Sequence, residues 1–168
     1  KKYKYPTNHE QLVNSLLKGG KFFPHSSAFF RKDAFDIVGG YRSRISKAED
    51  HDLWLRLGNV GKMTSIPETM VQYRLHDSQV SYQDKGVRQS IDKTISVISY
   101  RLRAAGYDDP VDQTDSEFRL FQNWVEREYS RLRNDEIFLL LTRLSYLKNQ
   151  NKNMYLLYAI IKVIIHDP

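Results

Sequence analysis

Leu12, Val13, Leu16 and Leu17 recur at helical spacing within residues 8–18, and Gly19-Gly20 behind them predict the end of a short helix. Residues 22–31 are rich in aromatics and leave through Arg31-Lys32-Asp33, a pattern that predicts a buried extended segment entering a short helix at 33–38. Gly39-Gly40 then stop that turn. From Ala48, Leu53, Trp54 and Leu57 mark one face of a further helix ending near Gly58, and Gly61 and Pro67 bracket a short extended piece at 62–66. Residues 70–75 read as another strand.

Past Asp84 the texture becomes helical. Ile91, Ile95, Ile98 and Leu102 repeat every three or four positions up to Gly106, which predicts a long amphipathic helix. A polar connection at 108–115 with Pro110 follows, and Phe118, Phe121, Val125, Tyr129 and Leu132 outline a second helix. Asp135 can cap a third, carrying Ile137, Leu140, Leu141, Leu144 and Leu147, and an Asn-rich turn at 149–153 leads to a fourth at about 154–165. The expected class is α+β and helix-dominated. Its two parts are a mixed segment with a few short strands over residues 1–83 and a helical appendage or bundle over 84–168. The apolar run at 154–165 is interrupted by Lys162 and is shorter than the roughly 20 residues a spanning helix needs.

The 168 residues suit one domain or a domain with an appendage, and 40% hydrophobic with 27% charged residues excludes a disordered or fibrous chain. Zero cysteines remove disulfides, thiolate metal sites and cysteine nucleophiles. Most of the net charge of +6 lies in residues 1–83, which suits a phosphate-bearing ligand or an anionic membrane and equally a solvated basic face. Aromatic and basic residues do not interleave as nucleic-acid binding requires, so no nucleic-acid partner is expected. The chain opens Lys-Lys-Tyr-Lys without a signal sequence and reads as a segment of a longer one.

Chemistry concentrates in residues 48–57, where Glu49, Asp50 and Asp52 surround His51 at the start of an apolar-periodic helix. Asp50 lies three, four and seven positions before Leu53, Trp54 and Leu57, which places it on the inward face, with Glu49 and His51 aimed elsewhere. A carboxylate at a helix N-terminus meets the positive end of the macrodipole, as a proton acceptor would require. Good capping of the first turn is the competing explanation. Gly39-Gly40-Tyr41 offers a backbone able to approach a ligand, Arg42 and Arg74 could pair with diphosphate oxygens, and His76 could reach a metal or phosphate. Each of these alone is equally a structural residue. His25-Ser26-Ser27 lacks a glycine-flanked nucleophile turn, which argues against a hydrolase.

In order and spacing, Phe23-Pro24-His25-Ser26-Ser27, Phe30-Arg31-Lys32, Val38-Gly39-Gly40-Tyr41, residues 49–57, Ile66-Pro67-Glu68 and Tyr73-Arg74-Leu75-His76 resemble the second half of a family 2 glycosyltransferase catalytic domain. The resemblance covers residues 5–81, roughly half the chain. It implies a truncated GT-A-like α/β segment, and an inverting transfer of sugar from a nucleotide-diphosphate donor to a hydroxyl of a carbohydrate or lipid-linked acceptor in cell-surface glycan synthesis. It places the general base on Asp50, acceptor positioning on Glu49, and substrate or diphosphate contacts on His25, Ser26, Gly39, Gly40, Tyr41, Trp54 and Arg74. His76 matches a metal or phosphate contact, and a divalent cation, manganese or magnesium, is the implied cofactor.

The family's nucleotide-binding half and its Asp-x-Asp motif lie upstream of this sequence, so the segment alone is expected to be inactive and without metal. No Arg-Trp pair follows the Glu-Asp region, which favours a single addition over processive synthesis. The implied location is the cytoplasm, peripheral to the inner face of the membrane, with self-association as a further expectation. The competing function is a helical interaction or membrane-surface docking module in which the catalytic residues are vestigial.

Overall fold

The computed structural model describes residues 4–19, 22–72, 74 and 86–131. Their regular structure is helical: α1 His9–Leu17, α2 Lys32–Ile37, α3 Glu49–Val60, α4 Val87–Ala104 and α5 Asp115–Arg131, with 3₁₀ turns at His25–Ser27 and Pro110–Asp112. The chain divides into two compact units, Lys1–Ser96 and Val97–Pro168, the division falling within α4. The helices expected at 137–147 and 154–165, the Asn-rich turn, and most of the strand expected at 70–75 lie outside the described residues. No helix among the described residues is long and apolar enough to cross a membrane.

No strand occurs among the described residues, which overturns the expected α+β class and its GT-A-like α/β segment. A strand exists only as one rung of a backbone ladder, and an apolar run does not supply the partner. The 62–66 piece joins no ladder and is tied through side chains: Ser65 Oγ donates to the Pro6 carbonyl (2.8 Å), Thr64 Oγ1 to that of Thr7 (2.9 Å), and Met63 N to His9 Nδ1 (3.1 Å). Residues 22–31 are broken at Pro24, whose carbonyl accepts both the amide (2.9 Å) and the hydroxyl (2.7 Å) of Ser27, a local turn that competes with any ladder. The segment is not buried as expected either, since Phe29 stands fully in solvent.

In the second unit, Tyr107 N donates to the Leu102 carbonyl and Gly106 N to that of Arg103, closing α4 with Gly106 at φ 82°. Asp109 pairs with Arg103 and accepts the amide of Val111, which starts the Pro110–Asp112 turn. Thr114 and Glu117 then form a reciprocal capping box on α5, with Glu117 Oε2 accepting the Thr114 amide (3.2 Å) and hydroxyl (2.6 Å). These bonds hold the Glu117 carboxyl below its usual pKa. Phe118, Trp124 and Val125 bury one face of α5.

In the first unit, α1 and α2 both pack on α3. Leu12, Leu16 and Leu17 meet a core that includes Ile45, Leu53 and Leu55, all buried. Gly58 does not end α3, which continues to Val60; a Cβ there would lie 3.2 Å from Met63 Cε and 3.3 Å from Val13 Cγ2, so the glycine allows α1 its close approach. Asp92 of α4 accepts the Lys47 amide (2.9 Å), anchoring the segment that leads into α3.

His51 joins α1 to α3. Its Nε2–H donates to the Leu16 carbonyl (3.0 Å), while Nδ1 is buried without a partner among the described residues. Burial lowers the imidazole pKa to about 4; the Leu16 carbonyl opposes this, Lys93 adds to it, and Asp50 and Asp52 oppose it weakly. An unfolded histidine takes its proton near its ordinary 6.5, and the folded one only near 4, so in that window the unfolded state binds more protons. Stability from this group is therefore complete above about pH 6.5 and falls as pH drops toward about 4, by up to ~1.4 kcal/mol per pH unit. Urea unfolding across that window should show His51→Gln with a shallower acid loss than wild type; parallel curves would refute the assignment.

Candidate active site

The turn after α2 and the first turn of α3 build the site together. Gly40 N donates to the Phe35 carbonyl (3.0 Å) and Gly39 N to that of Asp36 (3.1 Å), the double bond that closes a helix with two left-handed residues. Both glycines have positive φ, 75° and 68°. A Cβ on Gly40 would stand 2.9 Å from the Phe35 ring, so neither the backbone nor the space suits another residue. The amides of Gly39 and Gly40, expected to face a ligand, are thus used in capping α2.

Tyr41 leaves this turn with its hydroxyl on His25 Nε2, 2.7 Å away. Their rings touch (centroids 5.6 Å), and Tyr41 also packs on Phe35 (5.6 Å). The His25 ring meets Trp54 edge-on at 5.8 Å, and Phe23 and Phe30 reach the same indole at 5.7 Å each. Trp54 itself is 3% exposed and its Nε1–H has no partner among the described residues. His25, Phe30 and Tyr41 remain partly open to solvent, so the cluster is an aromatic surface with a buried indole behind it.

Beside this surface lie Glu49 and Asp50. Partial burial, then the charge of Asp50, then that of Glu49 raise the Tyr41 phenol above its usual pKa of 10.0. Asp50 Oδ1 accepts the neighbouring His51 amide (2.7 Å); its Oδ2 and the Glu49 carboxylate have no hydrogen-bond partner among the described residues. Both carboxylates are half-buried.

The inward face expected for Asp50 belongs instead to its neighbours. His51 and Asp52 are 3% and 1% exposed, because α3 is covered from two sides, by α1 and by α2, and so has more than one inward face. Asp52 Oδ2 accepts from Arg42 Nε (3.0 Å), Arg56 Nε (3.0 Å) and Arg56 Nη2 (2.7 Å), and Oδ1 accepts from Arg42 Nη2. Arg56 continues to the carbonyls of Val38 (2.5 Å) and Gly40 (2.7 Å). Arg42, a candidate for diphosphate, is therefore committed to Asp52. The sequence carries Arg56 four residues after Asp52, the spacing of a helical ion pair, and that signal alone points to half of the network.

The structure thus brings together His25, Tyr41, Glu49, Asp50 and Trp54, with Gly39 and Gly40 shaping the turn. Ser26 is exposed on the 3₁₀ turn, and Arg74 is exposed with no hydrogen bond or ion pair tying it to the cluster. His76 lies outside the described residues. The described residues contain no group of three or more His, Asp or Glu side chains able to hold a metal ion, so they do not supply the implied cation site. No family model, no curated protein and no solved structure matches the chain.

Asp52 and Asp50 should respond oppositely to neutralisation. Asp52→Ala leaves the buried Arg56 and the half-buried Arg42 without their shared carboxylate and should cost about 3–5 kcal/mol in urea unfolding. Asp50→Asn removes no ion pair and should change stability by less than ~1 kcal/mol. Equal losses would contradict this division.

Proposed function

We propose that this chain is the acceptor-side part of an inverting, non-processive glycosyltransferase acting in cell-surface glycan synthesis. The observation that carries the reading is the state of Asp50: a half-buried carboxylate at the N-terminus of α3, with no hydrogen-bond partner on Oδ2 among the described residues, near a tyrosine–histidine pair and an aromatic surface. The ordered motif series of residues 5–81 supports it from the sequence.

The chemistry requires one base. As an acceptor hydroxyl oxygen bonds to the anomeric carbon, the bond from that carbon to the diphosphate oxygen breaks, its electron pair leaves with the nucleotide diphosphate, and the hydroxyl proton passes to Asp50 Oδ2. Glu49 would accept a hydrogen bond from the acceptor, and His25 with Tyr41 would orient it against the aromatic surface. A divalent cation, manganese or magnesium, would neutralise the leaving diphosphate; its ligands are not among the described residues, and no step here depends on it. Such an enzyme would work in the cytoplasm at the inner face of the membrane, where lipid-linked acceptors are found.

The test is sugar transfer by the full-length gene product with a panel of nucleotide sugars and manganese or magnesium, beside Asp50→Asn. Loss of about a hundredfold or more in turnover, with donor binding retained, is the expected outcome. A variant within about tenfold of wild type would sink the assignment of the base. A folded wild type that binds none of the donors would favour a docking module instead.

A further inference from the structure

We propose that Asp52, acting through Arg42 and Arg56, is the positioning residue of this site: it sets the 38–42 turn that holds the Tyr41 hydroxyl on His25 beside Glu49 and Asp50. The proposal rests on the reading of that cluster as the reacting site, and extends it to Asp52, whose side-chain bonds go to Arg42 and Arg56.

Tyr41 is 42% exposed, and the rings it meets, Phe35 and His25, are themselves at the rim. Such packing leaves a phenol free to swing unless its backbone is held. Here it is held from both sides. The residue before Tyr41 has its carbonyl bound by Arg56 Nη2, and the residue after it has its guanidinium bound by Asp52. The Val38 carbonyl, at the end of α2, is taken by Arg56 Nη1. Two arginines on one carboxylate thus stitch the end of α2 to α3, and the planar guanidinium of Arg56 serves Asp52 and two carbonyls at once, which a lysine cannot do.

Asp52 shares α3 with Glu49 and Asp50, so the anchor of the turn and the carboxylates that face Tyr41 belong to one rigid element. Reacting groups must be held to within a fraction of an ångström, and supporting hydrogen bonds of this kind are how a turn residue meets that requirement.

The decisive measurement is made on the protein without substrate. Nitrogen NMR of the His25 ring reports its bond to Tyr41, with Tyr41→Phe identifying the signal, and a phenol titration reports Tyr41. Arg56→Lys, folded by far-ultraviolet circular dichroism, should lose the bonded His25 signature and move the Tyr41 pKa down toward its ordinary 10.0. Leu12→Ala, a destabilising change in the α1 core, should leave both signals unchanged, which a merely stabilising role for the ion network would not predict. Arg42→Lys, at the more exposed end of the network, carries the same measurement should Arg56→Lys not fold. A folded variant of either arginine with both signals at wild-type values would overturn the proposal. If the full-length protein transfers sugar, Arg56→Lys should lower kcat by about tenfold or more with KM within about twofold. Signals lost in a protein that never transfers sugar would uphold the positioning and sink the glycosyltransferase reading; signals retained where Asp50→Asn abolishes transfer would do the reverse.

Discussion

The first unit depends on a carboxylate that water does not reach. Asp52 sits between two guanidinium groups, and burying three charges carries a desolvation cost that only good geometry and further hydrogen bonds offset. Those further bonds are the informative part. Arg56 spends its remaining donors on Val38 and Gly40, so the ion pair is also a backbone clamp. A hydrophobic side chain at Asp52 could fill the same space, but it would not fix where the end of α2 lies relative to the first turn of α3.

That clamp explains why two carboxylates two positions apart play different parts. Successive α-helical residues advance by about 100°, so Asp50 and Asp52 lie nearly on opposite sides of α3. One side is closed by α2 and its turn, and there the charge is saturated. On the other, Asp50 keeps an oxygen without a partner among the described residues. His51 between them faces the end of α1, so three consecutive polar residues serve three different surroundings.

This is also where sequence reading stops. The five helices follow from 3.6-residue periodicity and from local punctuation, because helical hydrogen bonds are local: Leu12 to Leu17, Leu53 to Leu57, Ile91 to Leu102 and Phe118 to Val125 each declare a face. The strands did not follow, because a ladder partner is a tertiary fact that residues 62–66 and 70–72 cannot announce. Gly58 read as a stop and is a contact, since only the presence of α1 distinguishes the two. Thr114-Asp115-Ser116-Glu117, by contrast, is a capping box that is fully written in the sequence. In the site, the cluster at residues 49–52 was legible as a polar opening to an apolar-periodic helix, whereas its facing was not, because a single inward stripe was assumed for a helix that is covered twice. The pairing of His25 with Tyr41, sixteen residues apart, had no sequence signal.

The same geometry bears on how the rim can hold carboxylates beside exposed aromatics. Glu49 and Asp50 stand at a helix N-terminus, where the free amides and the macrodipole favour negative charge. On the same helix, Asp52 and Arg56 are joined by Arg42 from the turn that precedes it. The aromatic surface is held in a comparable way, with Trp54 buried behind His25 and Phe30 so that the solvent-facing rings rest on a rigid wall. What the core provides is thus a fixed frame, and the polar and aromatic groups of the rim take their positions from it.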